Sequence, residues 1–306
     1  MIISRNDWAN LGHNYHKALK AVGVDSMMVK LNRHHFAYPE QAPVCNMKKI
    51  ISLAQQAKII QYIHSEYIDI GPLKGKRVFV IHGGSKYRQN SNKINKIFNP
   101  MVEKTIIQTA DLLNLGAKNE VWVLPPIDTI TIKPIFNRQN NKIIIGHYPS
   151  DAGVKGSDVI NKIIKKINSD EQFKNRIQYN YSDKSVNWNE NIKRMSTCDI
   201  YIEALSLEQN GKRYGEWGIT CLEAAALGKI IVTHSQSSER YRKEYGECPL
   251  NIANTPEELE TTLKNLIMLK DNEILEKKKQ IRHWVETYHN YKAVGSRLMK
   301  RVYGKI

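Results

Sequence analysis

Short runs of β-branched residues recur along this chain, each separated from the next by turn formers and a stretch of helical periodicity. RVFVIH (residues 77–82), KIIIGH (142–147) and KIIVT (229–233) are the clearest. A run apolar on both faces needs cover on both faces, and buried strands alternating with helices make a parallel sheet. In the first half the pattern predicts strands at 1–4, 26–31, 58–64, 77–82, 105–109 and 120–124, with helices at 11–22 and 47–57. In the second half it predicts strands at 142–147, 176–181, 199–203 and 229–233, with helices at 156–168, 187–197 and 220–227. From residue 255 onward the chain reads as helical, ending in an amphipathic stretch at 285–302. Pro125-Pro126 and the segment with Pro134, Asn137, Asn140 and Asn141 break the alternation and read as a linker. The 306 residues therefore divide into two α/β domains, 1–137 and 138–284, plus a terminal helix at about 285–306.

Composition narrows the class. No apolar run approaches the roughly 18 residues of a membrane helix, and the start, MIISRNDWAN, lacks the basic and apolar regions of a signal peptide. The four cysteines are scattered without a CxxC pair, as expected of buried thiols in a reducing compartment. The chain is expected to be cytoplasmic. Its net charge of +16 leans toward the first half: residues 1–140 hold 19 Lys and Arg against 9 Asp and Glu, and 141–306 hold 27 against 21. Such an excess suits an anionic partner, a nucleotide diphosphate or an anionic membrane surface. A general richness in Lys, Ile and Asn accounts for it equally well. Basic clusters interleaved with aromatics are missing, so a nucleic acid is not the expected partner.

GEWGITCLEAAALGK (215–229) is the segment richest in chemistry. Gly218 precedes a helix opening at Thr220, and a helix N-terminus offers unpaired amides and partial positive charge to a diphosphate. Glu223 lies one turn inside, where a carboxylate can accept from ribose hydroxyls. Thr220-x-x-Glu223 is also a capping box, which requires no ligand, and the residues leave both readings open. IIIGHYPSDAGVKGSD (143–158) places His147 at a strand end and Lys155-Gly156 before the next helix, a candidate phosphate clamp or an ordinary surface lysine. In the first half, Asn10-Leu11-Gly12 and His82–Arg88 follow strands at the edge where α/β sheets hold ligands.

Taken in order, these segments resemble the retaining GT-B glycosyltransferases of family 4, group 1. Asn10-Leu11-Gly12 is similar to the family's glycine-bearing first loop, and His82-Gly83-Gly84-Ser85 with Arg88 to its HGS..R segment. Thr109-x-Asp111-Leu112 and Leu124-Pro125-Pro126-Ile127-Asp128 are similar to the next two family segments, and 147–156 to the run ending in KG. LEAAALGKIIVT (222–233) carries the most specific likeness. One departure concerns the paired acidic residues, normally E-x7-E: Gly215 stands at the first position and Glu216 comes one residue later.

The resemblance implies two Rossmann-like domains with parallel sheets facing across a cleft, the terminal helix packing back on the first. It implies transfer of a sugar from a nucleotide-diphosphate sugar to a glycan, lipid or other acceptor, with retention. Neither metal nor cofactor is expected, the nucleotide sugar being the co-substrate. Catalytic roles fall to Lys155, which neutralises the leaving diphosphate, to Glu216, which holds donor hydroxyls, and to His82 beside the donor sugar. Donor-nucleotide contacts fall to Gly12, His147, Gly218, Ile219, Thr220 and Glu223. Rival expectations are a catalytically silent sugar-nucleotide-binding protein and a GT-B sugar-nucleotide epimerase; peripheral contact with an anionic membrane is compatible with the leading one.

Overall fold

The structure, a computed structural model, describes residues 1–137 and 141–304. Asn140 of the expected linker and the last two residues of the expected 285–306 helix lie outside the described residues. The chain forms two compact units: Met1–Pro126 with Tyr288–Ile306, and Ile127–Thr287.

Unit 1 contains β1 (Ile2–Ser4), β2 (Met28–Lys30), β3 (Ile59–Tyr62), β4 (Arg77–His82), β5 (Lys104–Ile107) and β6 (Glu120–Trp122). They form one parallel sheet in the order β2-β1-β3-β4-β5-β6. Its helices are α1 (Leu11–Lys20), α2 (Met47–Gln56) and α3 (Gly84–Phe98). Because the connections run from β1 to one side and then to the other, the strand order reverses between β1 and β3. At that point the loops leave in opposite directions and a crevice opens at the carboxyl edge.

Unit 2 repeats the plan. Its main strands are β7 (Ile143–His147), β8 (Ile177–Tyr181), β9 (Ile200–Ile202), then β12 (Ile230–Thr233) and β13 (Asn251–Ile252), with a small hairpin, β10 (Glu208–Gln209) and β11 (Lys212–Arg213), between. The sheet is parallel in the order β13-β12-β9-β7-β8, so its reversal lies between β7 and β9. The helices are α4 (Ala152–Lys155), α5 (Ser157–Ser169), α6 (Trp188–Ser196), α7 (Ile219–Ala226), α8 (Ser238–Tyr245), α9 (Pro256–Ile267) and α10 (Asp271–Tyr288). Among the described residues no helix is long and apolar enough to cross a membrane.

The division falls at Pro126, not at the expected 137/138. Backbone carbonyls of the intervening segment are claimed by cations of unit 2. Arg282 donates to Thr129 and Ile132 at 2.7 and 2.8 Å, and Lys229 donates to Ile135 at 3.0 Å. The Ile135 amide also donates to Leu227 at 3.0 Å. Proline and asparagine announced irregular backbone, but irregular backbone here is bonded into a core rather than free.

Two further expectations change. The 285–302 stretch is not one helix: α10 stops at Tyr288, and Asn290 caps α11 (Tyr291–Leu298) by accepting from Ala293 at 2.8 Å. A five-residue π turn, Met299–Tyr303, follows. Also, α3 begins directly after Gly83, although its sequence is mostly polar. Its buried positions Tyr87, Ile94 and Phe98 recur at helical spacing, which is enough to seat it.

The terminal helix packs within unit 1. Tyr291 donates to Asn14 at 3.1 Å, and His289 Nδ1 donates to the Pro125 carbonyl at 2.8 Å. Gly295 lets α11 approach α1 closely, because a Cβ there would fall on the Ala18 carbonyl oxygen. Backbone cannot rotate away as a side chain can. Gly295→Ala is therefore expected to destabilise unit 1 by about 1–3 kcal/mol in chemical denaturation.

Candidate functional site

The site of unit 2 grows from the reversal between β7 and β9. After β7, Asp151 caps the single turn α4, its carboxylate accepting from the Val154 amide at 3.0 Å. That turn ends with Lys155. Gly156 then takes a left-handed conformation at φ 70°, and a Cβ on it would collide with the Leu205 carbonyl. The Lys155 carbonyl accepts from the Leu205 amide at 3.0 Å, which fixes the lysine backbone against the loop after β9.

Lys155 Nζ donates to Glu203 Oε1 at 2.5 Å and to the Tyr214 hydroxyl at 3.0 Å. Glu203 continues β9, its amide donating to Val232 at 2.9 Å, and its side chain is 1% exposed against 13% for Lys155. Burial alone works against the ammonium, but Glu203 and Tyr214 hold its pKa well above the usual lysine range. The same Glu203 oxygen accepts from the Gly218 amide at 3.3 Å. A Cβ on Gly218 would stand 3.6 Å from Lys155 Nζ, so the lysine lies at the N-terminus of α7. Lysine, carboxylate and helix end thus converge.

Gly218 is the N-cap of α7, and Ile219 and Thr220 form its first turn. The expected helix start at Thr220 shifts by one residue, and with it the capping box dissolves. Glu223 instead accepts from Trp188 Nε1 at 2.7 Å, with Trp188 opening α6. Burial raises its pKa from 4.5 to about 7; the Trp188 hydrogen bond opposes this and the Glu203 charge adds to it.

Other expected residues lie differently. His147 is fully buried, with Nδ1 donating to the Ile202 carbonyl at 2.8 Å and Nε2 at 2.8 Å from Ser157 Oγ. Burial pushes its pKa down to about 4, so the imidazole is neutral and its two nitrogens tie β7 to β9 and α5. Glu216 is held by the loop after β12, accepting from Ser235 Oγ at 3.4 Å. His147 also feels the Lys155 cluster through charge, Glu203 raising its pKa and Lys155 lowering it.

In unit 1, Gly12 lies in the first turn of α1, where its amide donates to Asp7 Oδ1 at 2.6 Å and the His13 amide to Asp7 Oδ2 at 3.2 Å. Asp7, Ala9 and Asn10 all have positive φ, between 53° and 55°, so this loop carries backbone strain. His82 is fully buried, 3.0 Å from Ser65 Oγ through Nδ1 and stacked on Tyr87 at 4.1 Å between centroids. Burial lowers its pKa to about 3. Arg88 and Asp111, on two of the motif segments, form a buried ion pair of 2.5 Å.

Glu203, Tyr214 and Trp188 were not singled out from the sequence. Glu203 was findable as a charged residue ending a buried strand. Tyr214 follows the hairpin β10–β11, whose Asn210-Gly211 turn, with both residues at positive φ, is a strong hairpin signal. Trp188 carried no comparable signal.

A cavity of about 730 Å³ lies at the amino edge of the unit 1 sheet, among Met1, Leu19, Val24, Ala57 and Tyr303, at the opposite edge from the carboxyl ends of those strands.

No protein-family model and no curated protein sequence matches the chain. Solved structures do match. HepE of Anabaena in complex with UDP and glucose is 11% identical over 98% of each chain, with a TM-score of 0.69. An alpha-glucosyltransferase in complex with UDP is 12% identical over 98% of this chain and 99% of that one, also at 0.69. Sucrose-phosphate synthase from Thermosynechococcus elongatus is 10% identical over 98% of each, at 0.60. The likeness spans nearly the whole chain, and the fold is GT-B, with two parallel-sheet α/β units.

The raised Glu223 pKa has a thermodynamic consequence. The unfolded carboxyl ionises near 4.5 and the folded one near 7, so between those values the folded state holds the extra proton. Stability from this group is full below about 4.5, falls as pH rises, and levels above about 7, a loss on the order of 3 kcal/mol. Denaturation of wild type and Glu223→Gln across pH 4–8 should show the difference between them following this curve.

Proposed function

We propose that the chain is a glycosyltransferase that takes a sugar from a nucleotide-diphosphate donor, a UDP-hexose first, with unit 2 holding the donor. The observation that carries the reading is Lys155 beside Gly218 at the N-terminus of α7, at the sheet reversal. An ammonium and helix-end amides are suited to a diphosphate, and the crevice at a reversal is where open α/β sheets bind ligands. The solved structures of like fold support the same donor class: HepE is seen with UDP-glucose, and the alpha-glucosyltransferase with UDP-glucose as well as UDP.

In this mechanism the bond from the anomeric carbon to the diphosphate oxygen breaks as that carbon becomes cationic, and negative charge gathers on the leaving diphosphate. Lys155 and the amides at Gly218, Ile219 and Thr220 stabilise that charge, so no divalent ion is required. An acceptor hydroxyl oxygen forms the new bond to the carbon, its proton passing to the released diphosphate. Glu223, oriented by Trp188, accepts from ribose hydroxyls, ionised once those donors replace lost hydration. Glu216 holds donor hydroxyls. His147, with both nitrogens engaged, acts by fixing the β7 end rather than by touching the ligand. Unit 1 supplies the acceptor side, Gly12 and His82 standing at the carboxyl ends of its strands. The sugar is transferred with retention, in the cytoplasm, and the basic first half suits peripheral contact with anionic lipid.

Calorimetry and turnover with UDP-, GDP- and ADP-glucose test the reading. Binding and slow release of UDP from UDP-glucose, unaffected by EDTA, are expected. Lys155→Ala should lower kcat/KM by roughly 10²–10³-fold, and Glu223→Gln should raise the nucleotide Kd by about tenfold. Absence of binding to all three sugar nucleotides would overturn it. Binding without turnover in any acceptor screen would leave a sugar-nucleotide-binding protein.

A further inference from the structure

The anion position at the head of α7 already contains an anion, and it belongs to the chain. Glu203 Oε1 lies 2.5 Å from Lys155 Nζ and 3.3 Å from the Gly218 nitrogen, engaging at once the cation and the first helix amide. Its side chain is 1% exposed, so this charge is compensated by these partners rather than by water. The Tyr214 hydroxyl completes the shell of the lysine at 3.0 Å. A buried lysine left without a carboxylate would be costly, which explains why one is there. A carboxylate and a phosphate cannot both occupy the same donors, because two like charges in a shielded site repel strongly.

We infer that Glu203 is an internal stand-in for the donor diphosphate, displaced when the nucleotide binds and returned to Lys155 when it leaves. This rests on the donor reading of the site and adds to it a residue that sets affinity. Bound diphosphate takes Lys155 Nζ and the Gly218 amide, and Glu203 turns away. On departure of the product the carboxylate re-forms its pair with Lys155, so release of UDP exchanges one anion for another instead of baring a buried ammonium. Glu203 thereby lowers the affinity for substrate and product alike and keeps the empty site ordered. It is a positioning residue, acting through Lys155.

The test is UDP binding by calorimetry to the wild type, Glu203→Gln and Glu203→Ala, with thermal unfolding of each in the presence and absence of UDP. Both variants should bind UDP about tenfold more tightly than the wild type, and UDP should become a correspondingly stronger product inhibitor. Without ligand both should unfold at lower temperature, and saturating UDP should recover most of that loss. A purely structural Glu203 would give the same loss with and without UDP. Wild-type binding with unchanged or weakened variants removes the role of Glu203 and leaves the donor site standing. Failure of UDP to bind any of the three proteins removes the donor site itself, and this inference with it. Should Glu203→Ala not fold, the isosteric Glu203→Gln decides.

Discussion

A buried ammonium must be matched by charge and hydrogen bonds, and in unit 2 that requirement draws three remote segments to one point. Lys155 ends the turn after β7, Glu203 ends β9, and Tyr214 follows the hairpin between β9 and α7. The parallel sheet makes the meeting possible, because its order reverses between β7 and β9 and the loops diverge there. Gly156 and Gly218 make it close: the first by its left-handed backbone against Leu205, the second by leaving room beside the lysine. Loss of the pair would loosen the loops that shape the head of α7.

Unit 1 follows the same strand plan and reaches a different electrostatic outcome. Asp7 covers the first amides of α1 at 2.6 and 3.2 Å, faces His64 at 3.6 Å, and its charge opposes the effect of burial on the Lys30 ammonium. Its hydrogen bonds go to helix amides, whereas Glu203 in unit 2 bonds the Lys155 ammonium at 2.5 Å and the Gly218 amide at 3.3 Å. Gly12 and Gly218, alike in sequence as glycines at helix starts, therefore stand beside differently arranged charges.

Much of the fold was legible because buried parallel strands leave an unambiguous mark: VFVI and IIIG admit no polar face. The turn at Gly156 was legible for a related reason, since a glycine before a helix marks backbone that takes a left-handed or closely packed conformation. What escaped depended on tertiary contacts. Thr220-x-x-Glu223 spells a capping box, yet Glu223 is taken by Trp188 from another helix and the cap passes to Gly218. His147 and His82 stand at strand ends as a ligand-binding residue would, but burial removes both from solvent. The division falls at Pro126, where the expected linker begins, rather than at 137/138, because the carbonyls that follow are bound by Lys229 and Arg282, which lie about a hundred residues or more downstream. Local pattern cannot carry such distant partners.

If the cation and helix end joined by Glu203 form the donor diphosphate site, a crystal structure of the chain with UDP will show a phosphate oxygen within hydrogen-bond reach of Lys155 Nζ and of the amides at the head of α7, with the Glu203 carboxylate turned away. A diphosphate bound elsewhere, with the Lys155–Glu203 pair intact, would rule that site out.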